Sequence, residues 1–275
     1  MEFLIILAII LVIAFLFWGD KSIVTSRIEY KNSKIPSEFN GFKITQVSDL
    51  HNTYFGKNHK NLLSKIKNTN PDIIVVTGDI IDRRRYHPEV AIEFLQQAIQ
   101  VAPVYYVTGN HEAWSHKFGE LEPQIIGCKV KLLNNEKEAI QKGAQTLEIV
   151  GFSDPGFLTC GHRQPTNTSV MQAYLKTLQD NDNFKVMLCH RPELFEIYAK
   201  YNVDLTLTGH AHGGQVRLPF IGGLYSPSQG VFPKYTKGEY KIGNSSMIVS
   251  RGLGNSRMPI RLFNRPEIVS ITLKS

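Results

Sequence analysis

Val75-Val76-Thr77-Gly78-Asp79, Tyr106-Val107-Thr108-Gly109-Asn110 and Thr206-Leu207-Thr208-Gly209-His210 end three apolar runs in the same way. Each run stops at Thr-Gly and delivers a side chain able to hold a metal. Ile44-Thr45-Gln46-Val47-Ser48-Asp49 and Val186-Met187-Leu188-Cys189-His190 do so without the Thr-Gly. Short apolar runs bounded by turn residues read as buried strands. In an open α/β sheet, ligands bind in the crevice beyond the carboxyl ends of the strands. Glycine before the ligand lets the chain turn sharply and approach closely. Five strands tipped with Asp, Asp, Asn, His and His therefore predict a metal centre.

Outward from these strands, the pattern alternates. A strand over 42–47, a helix over 58–67, a strand over 73–76, a helix over 88–99 and a strand over 104–107 give β-α-β-α-β, the mark of a parallel sheet. Leu62, Leu63 and Ile66 share one helical face, as do Ala91, Phe94, Leu95 and Ala98. Beyond this the reading is coarser. Strands are expected over 129–133 and 147–152, separated by a polar turn, then over 185–189, 205–208, 246–249 and 267–272. Helices are expected over 170–178 and 192–200. Residues 153–168 read as loop, and 213–243 as a long loop with a hairpin, a length that is usually functional.

The 275 residues are 42% hydrophobic, enough for one large α/β domain with a full core. Lys and Arg number 31 against 24 Asp and Glu, giving +7. That balance favours anionic lipid surfaces or phosphate-bearing substrates. No basic run interleaved with aromatics is seen, Arg83-Arg84-Arg85 being the densest cluster, so no nucleic-acid partner is expected. Cys128, Cys160 and Cys189 are an odd, widely spaced set, not a disulfide framework.

Phe3 to Trp18 is unbroken apolar sequence, spanning roughly 24 Å as a helix. A cleaved signal peptide would have a positive start and a small-residue cleavage site. Met1-Glu2 and Phe17-Trp18-Gly19-Asp20 offer neither, and a core helix would show polar positions. An uncleaved anchor over 1–19 fits, with 20–41 a linker and first strand and 42–275 the domain that carries the strand-tip ligands. Lys21, Arg27, Lys31 and Lys34 follow the span. The positive-inside rule then predicts a single-pass protein of the cell membrane with its body on the cytoplasmic side, the extracytoplasmic face being the alternative.

The chemistry-bearing blocks are Asp49-Leu50-His51, Gly78-Asp79-Ile80-Ile81-Asp82-Arg83, Gly109-Asn110-His111-Glu112, His190 and Gly209-His210-Ala211-His212. In this order and spacing they resemble the calcineurin-like metallophosphoesterase superfamily. Gly213-Gly214-Gln215, Gly252-Leu253-Gly254, Pro259-Ile260-Arg261 and Arg265-Pro266-Glu267 are similar to a bacterial branch with one N-terminal transmembrane segment. The resemblance implies an α/β fold, a four-layer α-β-β-α sandwich of two mixed sheets, preceded here by the transmembrane helix. It also implies two divalent ions, Mn, Fe or Zn. Asp49, His51 and His212 would hold one, Asn110, His190 and His210 the other, and Asp79 would bridge them. A metal-bridging hydroxide would attack phosphorus, His111 would protonate the leaving oxygen, Asp82 would orient His111, and Arg83 would grip phosphate. Arg84 and Arg85 read as solvated loop charge, Glu112 as a structural hydrogen-bonding partner, and His59, His87, His116 and His162 as surface or packing residues. Tyr225, Phe232 and Tyr235 lie in the long loop and could overhang the metals.

The function expected is hydrolysis of a phosphate mono- or diester. One alternative is a pyrophosphatase acting on a lipid-linked nucleotide sugar of the UDP-2,3-diacylglucosamine type. Another, of a different class, is a non-catalytic metal-binding scaffold. The sequence does not give the oligomeric state.

Overall fold

Strand β-branching and helical spacing divide the chain into strands that build two sheets, the first mostly from the N-terminal half and the second from the C-terminal half, with the last strand returning to the first sheet. The structure, a computed structural model, describes residues 1–159, 166–255, 258 and 260–275. Cys160, His162 and Pro259 lie outside the described residues. Helix α1 (Glu2–Lys21) leads into β1 (Val24–Lys31), β2 (Lys43–Val47), α2 (Lys60–Lys67), β3 (Ile73–Thr77), α3 (Pro88–Ala98) and β4 (Val104–Val107). Helices α4 (Asn110–Trp114) and α5 (Phe118–Gly127) and the short β5 (Lys131–Leu132) complete this half. The second half runs β6 (Glu136–Lys142), β7 (Gln145–Gly151), α6 (Ser169–Thr177), β8 (Phe184–Leu188), α7 (Phe195–Lys200) and β9 (Leu205–Thr208). Two small hairpins follow, β10 (Arg217–Leu218) with β11 (Gly222–Gly223) and β12 (Tyr225–Ser226) with β13 (Gly230–Val231). Strands β14 (Gly238–Ile242), β15 (Ser245–Val249) and β16 (Glu267–Lys274) close the chain.

One sheet has the order β1-β16-β2-β3-β4-β5 and the other β14-β15-β9-β8-β7-β6. Strands β2 to β5 are parallel, and β16 enters antiparallel to β2. Strands β15, β9, β8 and β7 are parallel, with β14 and β6 antiparallel at the two edges. Both sheets are mixed. Along β3, Ile73 and Val75 face one cluster and Ile74 and Val76 another, the period of two expected of a strand buried on both faces. Ile44, Val75 and Tyr105 meet Val186, Leu207 and Ile248 between the sheets. Outside the first sheet, Leu62, Ile66, Phe94 and Leu95 cover Val47, Val76 and Tyr106. Outside the second, Met171, Leu175, Phe195 and Tyr198 cover Val150, Met187 and Val249. The result is the four-layer α-β-β-α sandwich, in which each fully buried Leu, Ile or Phe contributes about 1.5–3 kcal/mol.

Three parts differ from the sequence reading. The strands expected over 129–133 and 147–152 do not form a pair; β5 joins the first sheet and β7 the second. The polar stretch between them is itself a strand, β6, whose exposed edge position tolerates Glu136, Lys137 and Glu138 without an apolar stripe. Helices α4 and α5 occupy a region left unassigned, and α5 accommodates Pro123 in its interior.

Candidate metal centre

The parallel strands of both sheets end at one edge. Asp49 follows β2, Asp79 follows β3 and Asn110 begins the helix after β4, while His190 follows β8 and His210 and His212 follow β9. Backbone hydrogen bonds stitch these tips together. Asp49 N–H donates to Gly78 O (3.0 Å), His51 N–H to Asp79 O (3.1 Å) and Gly209 N–H to His190 O (3.1 Å). Asp49, His51, Asp79, His210 and His212 all have left-handed backbone, with φ of 52, 45, 53, 63 and 46°. Such a conformation costs about 1–3 kcal/mol at a non-glycine residue and persists only where the surroundings fix it. Here five such positions turn their side chains towards one point. The Thr-Gly signature has its own reason. Gly78 (φ +87°) packs against Gly109, and a Cβ on Gly78 would lie 2.6 Å from the Gly109 nitrogen.

All seven sequence-predicted ligand residues are buried together. His212 Nε2 lies 3.3 Å from Asp49 Oδ1 and 3.1 Å from His51 Nε2. His190 Nε2 lies 3.1 Å from Asp79 Oδ2 and 3.2 Å from His210 Nδ1. The same Asp79 oxygen is 3.7 Å from His51 Nε2, so it faces both groups. The far nitrogens are mostly engaged: His190 Nδ1–H donates to Thr77 O (2.7 Å), His51 Nδ1–H to Ile81 O (3.2 Å) and His210 Nε2–H to Ser228 Oγ (3.2 Å). In these three rings, when neutral, the near nitrogen is thereby left as a lone pair, whereas His212 Nδ1 faces the Arg261 guanidinium (3.2 Å), which can only donate and so keeps the proton of a neutral His212 on Nε2. Asn110 Oδ1 is buried with no hydrogen-bond partner among the described residues.

Burial lowers the imidazoles of His51 and His210 well below the ordinary value, helped by neighbouring histidines. Burial, opposed by Asp49 and aided by Arg261, brings His212 to about 4. Burial works against charge on His190 too, but Asp79 outweighs it and lifts that ring to about 10. A cation seated beside Asp79 takes the place of that proton. Metal–nitrogen and metal–oxygen bonds of about 2.0–2.2 Å put neighbouring ligands roughly 3 Å apart. The donor spacings, the mixture of imidazole, carboxylate and amide oxygen, and the orphaned Asn110 oxygen fit borderline divalent ions.

Beside this cluster stands His111, whose backbone N–H donates to Asp79 Oδ1 (2.7 Å) and whose ring centroid is 4.5 Å from that of His51. Its Nδ1 accepts the Arg83 backbone N–H (3.1 Å) and lies 3.6 Å from Asp82 Oδ1. Asp82 itself accepts from Arg84 N–H (2.9 Å) and Arg85 Nη2 (3.0 Å). The Arg83 guanidinium stacks over Trp114 at 5.4 Å. A cavity of about 260 Å³ lies over the cluster, lined by Arg84, His111, Gln215, Tyr225, Ser228 and Met258 among others. Sequence reasoning set Arg84 aside as loop charge, and nothing in its own neighbourhood of three arginines singles it out. Tyr225 does reach the cavity. Tyr235 instead is buried against Phe195 and Tyr240, and Phe232 is exposed. His59 is a packed residue, ringed by Tyr54 and Phe94.

Comparison with known proteins gives consistent relatives. The family model described as calcineurin-like phosphoesterase matches residues 42–214. The metallophosphoesterase YkuE of Bacillus subtilis is 33% identical over 92% of this chain and 86% of its own length. The phosphodiesterase YaeI of Escherichia coli is 28% identical over 84% of this chain and 82% of its own length. Among solved structures, TT1561 of Thermus thermophilus shares the fold, with a TM-score of 0.51 and 15% identity over 77% of this chain and 90% of that one.

Proposed function

Since this chain belongs to the calcineurin-like phosphoesterase family, and is thereby a metal-dependent phosphoesterase, we propose that it hydrolyses a phosphate mono- or diester at a two-ion centre while anchored in the membrane by α1. One observation carries the reading: His51 from the tip of β2 and His190 and His210 from the tips of β8 and β9, in two different sheets, gather around a single carboxylate, Asp79. Asp49, His51 and His212 would hold one ion, Asn110, His190 and His210 the other, with Asp79 shared. When bound, such ions supply Lewis acidity at phosphorus and make water a nucleophile at neutral pH.

The protein's own residues do the rest. The Arg83 N–H donating to His111 Nδ1 leaves the proton of the neutral ring on Nε2, in a side chain that lines the cavity. His111 is thus our candidate acid for the departing oxygen. Asp82 lies on the Nδ1 side and fixes the loop 82–85 through Arg84 N–H and Arg85. Arg84 joins Arg83 as a candidate phosphate-binding cation. The name of YaeI supports diester chemistry. α1 is twenty residues of mostly apolar sequence, about 30 Å long and almost wholly exposed, which supports the anchor. Tyr225 and Met258, 47% and 42% exposed at the cavity, favour an amphipathic substrate as a second reading. Release of UMP from UDP-2,3-diacylglucosamine tests it.

The principal test uses the full chain in detergent with Mn and bis-p-nitrophenyl phosphate. His111→Ala is expected to lower turnover by roughly 10²–10⁴-fold while bound metal stays near two ions per chain. Unchanged turnover removes His111 from the mechanism, and a wild-type chain that binds metal without hydrolysing any phosphoester supports the scaffold alternative.

A further inference from the structure

The foot of α1 is docked on the chain rather than hanging free. The Phe15 and Phe263 rings lie 5.8 Å apart, and the Arg265 guanidinium sits 4.5 Å over the Trp18 ring. Gly19 is buried, and Asp20 Oδ1 accepts the Arg261 N–H at 2.8 Å. Phe15 lies nearly one helical turn deeper in the apolar run than Trp18, about 4.5 Å along the axis. If Trp18 marks the membrane interface, Phe263 falls on the acyl side of the headgroups.

Phe263 does not stand alone. It lines one cleft of about 480 Å³ with Phe220 and Ile221, the tip of the β10–β11 hairpin, and with Arg217 and Lys237. Among the described residues, none that lines that cleft is acidic. Phe220 is fully exposed, and Ile221 and Phe263 are each 58% exposed. Phe220 and Phe263 also hold left-handed backbone, with φ of 66 and 53°, unusual for bulky aromatics and a sign that their outward position is imposed. Exposed apolar side chains flanked by cations, level with an apolar helix, have the composition of a bilayer-interface contact.

We propose that Phe220, Ile221 and Phe263 form a second membrane contact beside α1, inserted at the headgroup–acyl boundary, with Arg217 and Lys237 set against anionic headgroups. This rests on the reading of α1 as a membrane anchor. It fixes the domain on the bilayer instead of leaving it on a swivel. The segment that carries Phe263 also carries Arg261, whose Nη2 is 3.2 Å from His212 Nδ1. Contact and candidate metal centre therefore share one stretch of chain.

The test is tryptophan quenching by brominated phospholipid, with the full chain in nanodiscs containing phosphatidylglycerol. The wild type reports on Trp18, Trp18→Phe leaves Trp114 as the baseline, and Phe220→Trp is placed in the Trp18→Phe background. Ile221→Trp repeats the reading should Phe220→Trp misfold. The expected result is quenching at position 220 at least half as strong as at Trp18. Quenched Trp18 with an unquenched tryptophan at 220 and 221 overturns the second contact and leaves the anchor standing; a rim that serves a protein partner gives this outcome. Unquenched Trp18 overturns the anchor, and the contact falls with it.

Discussion

Glu112 is not one of the proposed ligands, yet it holds two of their turns together. Its buried carboxylate accepts the N–H groups of Gly109 (2.7 Å), Asp79 (2.8 Å) and Ile81 (3.2 Å). One side chain thereby locks the tip of β3 to the tip of β4. Burial and the nearby Asp79 push its carboxyl up to about 7, against the three amide donors that favour the anion. A cation beside Asp79 would offset that repulsion and keep Glu112 ionised at neutral pH. Glu112→Gln preserves volume but sets an NH₂ against backbone N–H donors. The expected loss is about 2–4 kcal/mol of stability, read in urea melts with Mn at fixed concentration, together with weaker metal binding by equilibrium dialysis. A variant that melts and binds like wild type would show that these three hydrogen bonds fix nothing.

At the scale of elements, β7 is held to its neighbours by a polar hub. Glu148, buried on β7, accepts from Asn181 Nδ2 (2.9 Å) and Asn183 Nδ2 (3.2 Å) and lies 3.5 Å from Lys137 Nζ on β6 and 3.7 Å from Lys185 Nζ on β8. Burial opposes its ionisation, but the two amides and then the two lysines outweigh it and hold the carboxyl below the usual range. A depressed carboxyl contributes stability that is complete above its unfolded value, near 4.5, and is lost as pH falls through the folded one. Glu148→Gln is expected to cost about 1–2 kcal/mol at pH 7. The deficit should narrow below about pH 4; a pH-independent deficit in denaturant melts would assign the effect to packing alone. This hub was not legible in the sequence, because its members lie on β6, β7, the turn before β8 and β8 itself, and no local pattern joins them. Strands β2, β3, β4, β8 and β9 were legible, since both faces are buried and the runs are rich in apolar and β-branched residues. β6 was not, because an edge strand needs no apolar face. The site shows the same division. Its residue types stood at strand tips in plain view, whereas the five left-handed backbones and the cavity-lining place of Arg84 are set by tertiary contacts that no local pattern announces.

Across the whole molecule, the candidate centre lies where the sheets meet. Asp49, His51, Asp79 and Asn110 come from the first sheet, and His190, His210 and His212 from the second. Two ions shared between these groups would therefore join the halves of the sandwich at one end as well as support chemistry. Without them, two buried carboxylates and several imidazoles face one another with only partial compensation, His190 charged and its neighbours neutral. Each site kept at a thousand times its Kd adds about 4 kcal/mol to the folded state. At roughly 2–4 °C per kcal/mol for a domain of this size, chelation of both ions should lower Tm by about 16 °C or more. Mn, Fe or Zn returned one at a time should restore it to different extents, which ranks the ions on this protein. Asp79→Asn, at the carboxylate proposed to be shared by both ions, should abolish most of that metal-dependent shift, while Asp49→Asn should leave a part of it because His190, His210 and Asn110 still share Asp79. Equal shifts in wild type and Asp79→Asn, measured by calorimetry in the same detergent, would mean that the ions bind elsewhere and that the sheets are held without them.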